Sequence, residues 1–227
     1  MATANEGRDR QTGEVTSRPA RQGIWHRYVR PRMLDAGMDT AENRGIRARV
    51  CAGLAGEVLE IGFGTGLNLP VLPETVTRVL AVDPLHRGMG RVADRVAESH
   101  AEVRFVGPDA QHLTLDDASV DAVLCTWSLC SIEDPLAAVA EVARVLRTGG
   151  QLHLVEHGWS SDEEVQRWQR RFARTWPHVA GGCHIDRDIP TILEDGGLQV
   201  TSLETYYVRS EPRFLGWTFE GRATPRS

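Results

Sequence analysis

Cysteine is scarce in this sequence: four thiols in 227 residues, Cys51, Cys125, Cys130 and Cys183, with no C-x-x-C pair. That scatter excludes a disulfide framework and points to reduced thiols in a reducing compartment. Cys125 and Cys130, in or just after an apolar strand, read as small core residues. No apolar run approaches the roughly 20 residues of a membrane span. The opening stretch MATANEGRDRQTGEVTSRPARQG lacks the apolar core of a secretory signal. A cytoplasmic protein without integral membrane association is therefore expected. Basic excess is also missing: the formal net charge is −5 with the signs interspersed. No basic stripe is available to neutralise phosphates, which disfavours nucleic acid as a partner.

What is present is enough for one full-sized domain with a real core. Residues 1–22 are polar and without periodicity, a tail expected to be disordered in isolation. Residues 23–55 read as helices that could cover a site: IWHRYVRPRML broken at Pro31, then a helix from about Thr40 to Ala52 closed near Gly53. From residue 56 to 227 short β-rich runs (EVLEI, TRVLAV, EVRFV, VDAVLCT, QLHLVEH) alternate with helical segments. That alternation predicts an α/β fold with a parallel sheet covered on both faces. Asp134, Pro135 and the apolar Leu136, Val139, Ala143 and Leu146 predict a capped helix ended by Gly149-Gly150. In SDEEVQRWQRRFARTW, residues Val165, Trp168, Phe172 and Trp176 share a helical face. That face either packs on the sheet or closes a cavity. A last helix near IPTILEDGG and strands in LQVTSLETYYV and GWTFEG complete the fold.

The informative stretch is GEVLEIGFGTGLNLP. A strand ends in Gly62, Gly64 and Gly66 and should pass into a helix; glycine lets the backbone turn and approach a ligand closely. The dinucleotide fingerprint needs a third glycine at position 67, and Leu67 stands there. Glu60, just before the loop, would face an incoming pyrophosphate but suits an ammonium, such as that of S-adenosylmethionine. Asp83, at the end of the next strand and followed by Pro84, is placed to accept from both ribose hydroxyls. Asp109, after the third strand, is placed to accept from an adenine amino group.

These residues resemble the class I S-adenosylmethionine-dependent methyltransferases, in the order E-I-G-x-G-x-G, A-V-D-P, D-A-Q-x-L and L-R-T-G-G over Gly56 to Gly158. D-A-Q-H-L and V-L-R-T-G-G are similar to the ubiquinone/menaquinone-biosynthesis type. VDAVLCTWSLCSIEDP, VEHG and GGCHIDRDI look closer to the methyltransferase-like thiol S-methyltransferases. The resemblance implies a Rossmann-like, seven-stranded, mostly parallel sheet with a reversed last strand. It carries Glu60, Gly62, Gly64, Gly66, Asp83, Asp109 and Ala110 over as cofactor contacts, with Asn68 and Thr126 beside them. Phe63 departs from the family's small residue and should point away from the ligand. The animal thiol enzymes have a hydrophobic N-terminal anchor that this chain is expected to lack.

A sulfonium donor needs no metal, so the implied task is to align a small-molecule acceptor, a thiol first and a quinone precursor or other natural product second. His157, at the end of the fifth strand, leads as the base that would assist proton loss, followed by His184 and His26; Glu156 reads as a structural acceptor. An NAD-dependent oxidoreductase and a cofactor-binding protein without catalysis are the competing readings. Oligomeric state leaves no trace in the sequence.

Overall fold

The computed structural model describes residues 37–84 and 90–226. The chain divides into two compact units, Met1–Gly37 and Met38–Ser227, and the account below concerns the second. The tail, the helix expected around Pro31 and His26 lie outside the described residues.

Helix α1 (Ala41–Cys51) is capped by Thr40, whose hydroxyl accepts from the Asn43 amide, and closes at Ala52. A seven-stranded sheet follows, with α2 (Gly90–Glu98) between its second and third strands: β1 (Gly56–Ile61), β2 (Val76–Val82), β3 (Glu102–Gly107), β4 (Val120–Thr126), β5 (Leu146–His157), β6 (Leu198–Tyr207) and β7 (Trp217–Pro225). Its order is β3-β2-β1-β4-β5-β7-β6. The first five strands are parallel, and β7 runs antiparallel between β5 and β6. The mostly parallel sheet with a reversed last strand is the architecture expected from the sequence.

Alternation along the strands splits the core in two. Leu59, Ile61, Val123 and Cys125 face a layer built with α3 (Pro135–Val145) and α6 (Ile189–Asp195). Val58, Ala122 and Leu124 face the layer that contains Ile46, Val50 and Cys51 of α1. Glu60 shares the pleat face of Val58, and Thr126 that of Leu124, so both point toward α1. Strand order reverses between β1 and β4, and an open α/β sheet forms its ligand crevice at such a point.

Three local expectations are corrected. The glycine loop does not pass into an α-helix; a three-residue 3-10 turn, Leu69–Val71, follows it. Pro70 and Pro73 lack the N–H groups that an α ladder would need there. Helix α3 has the expected Asp134 cap on the Ala137 amide, but it ends at Val145 and buries Ala138, Val139, Val142 and Val145. Leu136 is left exposed. The charged helix α4 (Glu163–Phe172) stops before Trp176, which opens the short α5 (Trp176–Val179). Among the described residues no helix is long and apolar enough to cross a membrane.

Candidate active site

The loop after β1 turns on three glycines in the left-handed region, Gly62, Gly64 and Gly66, at φ of 72, 57 and 76°. A Cβ at Gly62 would sit 1.9 Å from the Ser128 hydroxyl, so backbone and space both demand glycine there. At Gly64 the space is open: among the described residues a Cβ would meet only the Gly62 carbonyl oxygen, at 3.8 Å. The Gly64 amide donates to Asp83 Oδ2 at 2.8 Å, which ties the loop to the end of β2. Phe63 points the other way, into the α1-side core, edge-on to Phe105.

Behind the loop lies a buried polar network. Asn68 Nδ2 donates to Glu60 Oε1 at 2.8 Å and to Thr126 Oγ1 at 3.1 Å. Arg47 of α1 donates to Asn68 Oδ1 and to Thr126 Oγ1, both at 2.8 Å, while its guanidinium lies over the Trp127 ring. Glu60 is 1 % exposed, and its second carboxylate oxygen, Oε2, is buried without a hydrogen-bond partner among the described residues. Burial pushes the Glu60 pKa up to about 7, against the Asn68 hydrogen bond and the Arg47 charge, which lower it. A buried acceptor left unsatisfied costs on the order of 1–3 kcal/mol, and an ammonium at Oε2 would remove that cost.

These features fit the methionine end of S-adenosylmethionine: an orphaned carboxylate oxygen for its ammonium and open space beside Gly64. They fit a dinucleotide poorly, because the loop lacks the helix N-terminus that a pyrophosphate uses. Asp83, 8 % exposed at the end of β2, stands where the ribose-binding acid was expected. The adjoining Pro84 is exposed. Ala110 is buried against the core. Asp109 is half-exposed, and its carboxylate accepts from the Gln111 amide, the Gln111 side chain and His112. The Gln111 and His112 hydrogen bonds hold its pKa below the usual carboxylate range. It braces its own turn, which qualifies the adenine role expected of it.

The histidines depart further from expectation. His157 is buried, with Nε2 facing Glu211 Oε2 at 3.1 Å and Nδ1 facing the Cys183 sulfur at 3.9 Å. Burial alone would lower its pKa; the Cys130 thiol and the Glu211 carboxylate outweigh it and raise it to about 10. Both ring nitrogens of His157 thus already have side-chain partners. His184 is partly exposed, 3.9 Å from Asp186, and its amide donates to the Cys130 carbonyl. Glu156 is fully buried and accepts from the amides of Ser128, Leu129 and Cys130 at 2.7, 2.8 and 3.2 Å, a structural acceptor as read.

Arg47 was missed. Its signal was available: with Asn43 it interrupts the apolar stripe of Ile46 and Val50 on α1, and a charge on a buried helix face marks a partner across the interface.

A methyltransferase domain family model matches residues 59–154. Thiol S-methyltransferase TMT1B of Rattus norvegicus is 34% identical over 151 residues, 65% of this chain and 62% of that protein. The match thus spans less than two thirds of that relative. Phosphatidylethanolamine N-methyltransferase of Cereibacter sphaeroides is 32% identical over 151 residues, 64% of this chain and 71% of that protein. A solved methyltransferase, in complex with the Trm112 methyltransferase activator of Haloferax volcanii, superposes with a TM-score of 0.63. It is 19% identical over 89% of this chain and 96% of its own, a likeness of fold. With the glycine loop, the orphaned Glu60 oxygen and the strand order, these matches identify the chain as a member of the class I S-adenosylmethionine-dependent methyltransferases.

Proposed function

We propose that this protein methylates the sulfur of a small-molecule thiol, with S-adenosylmethionine as donor. The observation that carries the donor half is the buried, unpartnered Oε2 of Glu60 beside the glycine loop. The similarity to thiol S-methyltransferases supports the acceptor half. When bound, the cofactor supplies an activated methyl group on a sulfonium.

Glu60 would hold its ammonium, Asn68 fixes the rotamer of Glu60, and Arg47 and Thr126 fix Asn68. The amides and missing side chains of Gly62, Gly64 and Gly66 shape the cradle, and Asp83 holds that cradle while offering a ribose acceptor. The chain's remaining task is to align the acceptor and exclude water, which can supply on the order of 7–11 kcal/mol.

A thiol acceptor also suits the histidines. A free thiol, pKa about 8.5, is already a few per cent thiolate at neutral pH, so it needs less help from a base than an alcohol does. His184, the more accessible of the two candidate histidines among the described residues, is the group retained for proton removal. The free thiols of Cys51, Cys125, Cys130 and Cys183 suit a reducing, cytoplasmic setting. An amine acceptor is the second reading, favoured by the similarity to the phosphatidylethanolamine enzyme.

The test is transfer of a labelled methyl group across a panel of thiols, phenols, amines and quinone precursors. Label recovered as thioether is the expected result. Label on nitrogen or oxygen only would replace the acceptor. Binding of NADH without binding of S-adenosylmethionine would overturn the reading altogether.

A further inference from the structure

At the carboxyl ends of β4 and β5 lies a second buried cluster with different chemistry. Cys130 follows β4 in the 3-10 turn Leu129–Ser131, His157 ends β5, and Cys183 lies in the loop between α5 and α6. The two sulfurs and one ring nitrogen lie within 4.8 Å of one another, and all three residues are buried, at 1, 5 and 7 % exposure. Among the described residues this is the one such group of histidine, cysteine and acid side chains.

The backbone holds the three in place. Glu156 takes the amides of Ser128, Leu129 and Cys130, which sets the Cys130 turn on β5. The His184 amide donates to the Cys130 carbonyl at 2.8 Å, which joins the two cysteine segments. Arg187 binds the carbonyls of Leu129 and Ile132 on either side of that turn. Gly181 and Gly182, at φ of 75 and 94°, let the chain bend into Cys183.

We propose that Cys130 Sγ, Cys183 Sγ and His157 Nδ1 form a binding site for a thiophilic, tetrahedral divalent cation of the zinc type. Two observations converge on it. Zinc–sulfur and zinc–nitrogen bonds of about 2.3 and 2.0 Å put tetrahedral ligand atoms about 3.5–3.8 Å apart, and the Cys183 Sγ to His157 Nδ1 distance is 3.9 Å. The opposite ring nitrogen, Nε2, faces the Glu211 carboxylate at 3.1 Å. A ligating histidine makes that outward hydrogen bond to a carboxylate to fix its tautomer and ring plane. Two thiolates and a neutral imidazole then balance a divalent charge. The two thiol protons and the Nδ1 proton leave on binding, and the neutral His157 keeps its proton on Nε2 toward Glu211. Three protein donors leave one tetrahedral position for a donor from solution.

The site is independent of the methyl-transfer reading, and its test separates the two. Reduced, chelator-stripped protein is titrated with Co²⁺ and then displaced with Zn²⁺, while adenosylhomocysteine affinity is measured on the same samples. The expected result is one equivalent of Co²⁺ with a thiolate charge-transfer band and intense tetrahedral d–d bands. Cys130→Ser and Cys183→Ser should each abolish the band. Glu211→Gln, which spares the ligands should the cysteine variants fail to fold, should weaken the metal by about 10–100-fold. Adenosylhomocysteine affinity should stay within a factor of two in Glu211→Gln. Co²⁺ binding without thiolate bands, bands that survive the serine variants, or unchanged affinity in Glu211→Gln would each overturn the proposal.

Discussion

The two buried polar clusters at the carboxyl edge of the sheet obey different rules. Around Glu60 the groups are hard: amide and guanidinium donate, hydroxyl and carboxylate accept, through bonds of 2.8–3.1 Å, with one carboxylate oxygen left over. Around Cys130 the donors are soft: two sulfurs and an imidazole, spaced wider than hydrogen bonds and backed by a carboxylate. A hydrogen-bonded network with one vacancy selects a charged organic group that fits the vacancy. A soft triad selects by polarizability and coordination geometry. One sheet thus presents two kinds of recognition a strand apart, and their independence can be tested.

The largest expected effect is at the hinge of the hard cluster. Gly62→Ala adds a Cβ 1.9 Å from the Ser128 hydroxyl at a φ of 72°. Left-handed strain and overpacking together should cost about 2–4 kcal/mol of stability, read as a lowered midpoint in urea. A variant as stable as the parent would show that loop and Ser128 are not held together. Next is Glu60→Gln, which should weaken adenosylhomocysteine by about 10–100-fold, the worth of a hydrogen bond to a charged group. The same change should leave the unliganded protein as stable or stabilise it, because it removes a desolvated carboxylate.

The pH dependence follows from the same group. The Glu60 pKa is raised in the folded protein from 4.5 to about 7. The folded state therefore holds its proton more tightly than the unfolded one, and the stability this contributes is full below about 4.5 and lost as pH rises through 7. Ammonium binding needs the carboxylate, so cofactor affinity should rise as pH climbs through 7, and Glu60→Gln should flatten that rise. A parent profile already flat from pH 6 to 8 would remove Glu60 from ammonium recognition. Asp83→Ala comes next, at about 1–3 kcal/mol of cofactor affinity. It removes a ribose acceptor and leaves the Gly64 amide without Oδ2. Cobalt uptake at the soft cluster should be unchanged in both variants; a loss there would mean that the clusters are coupled.

The hard cluster was legible in the sequence because a contiguous segment builds most of it. Glu60, the glycines and Asn68 lie within nine residues, and strand periodicity places Asp83 and Asp109 at successive strand ends. The reversed last strand was legible through the family resemblance and not through local or periodic signals. The soft cluster was not legible. Cys130, His157 and Cys183 are each separated by more than 25 residues, and in one dimension each looked like a core thiol or a possible base. Only the packing of the loop after α5 against the turn after β4 brings them together. His157 was legible only as the end of β5, because its partners Glu211 and Cys183 come from other segments. The expected helix after Gly66 fails for a plainer reason, since Pro70 and Pro73 lack the N–H groups of an α ladder.

The smallest effect is expected at Asp109, where the boundary between cradle and scaffold is drawn. Its three hydrogen bonds all return to Gln111 and His112, and Gln111 in turn accepts from the Asp134 amide at the start of α3. A carboxylate has lone pairs for a further donor, so an adenine amino group could be read without breaking the turn. Asp109→Asn keeps one acceptor oxygen and should cost less than about fivefold in adenosylhomocysteine affinity, within the range of one neutral hydrogen bond. The discriminating measurement compares adenosyl- with inosyl-homocysteine, which replaces the amino group by a carbonyl. If Asp109 reads the base, the parent should prefer the adenosyl form and the asparagine variant should lose part of that preference, since its amide can turn a donor toward the carbonyl. Equal preference in both proteins would assign Asp109 to the scaffold of its turn and leave base recognition to the backbone around Ala110.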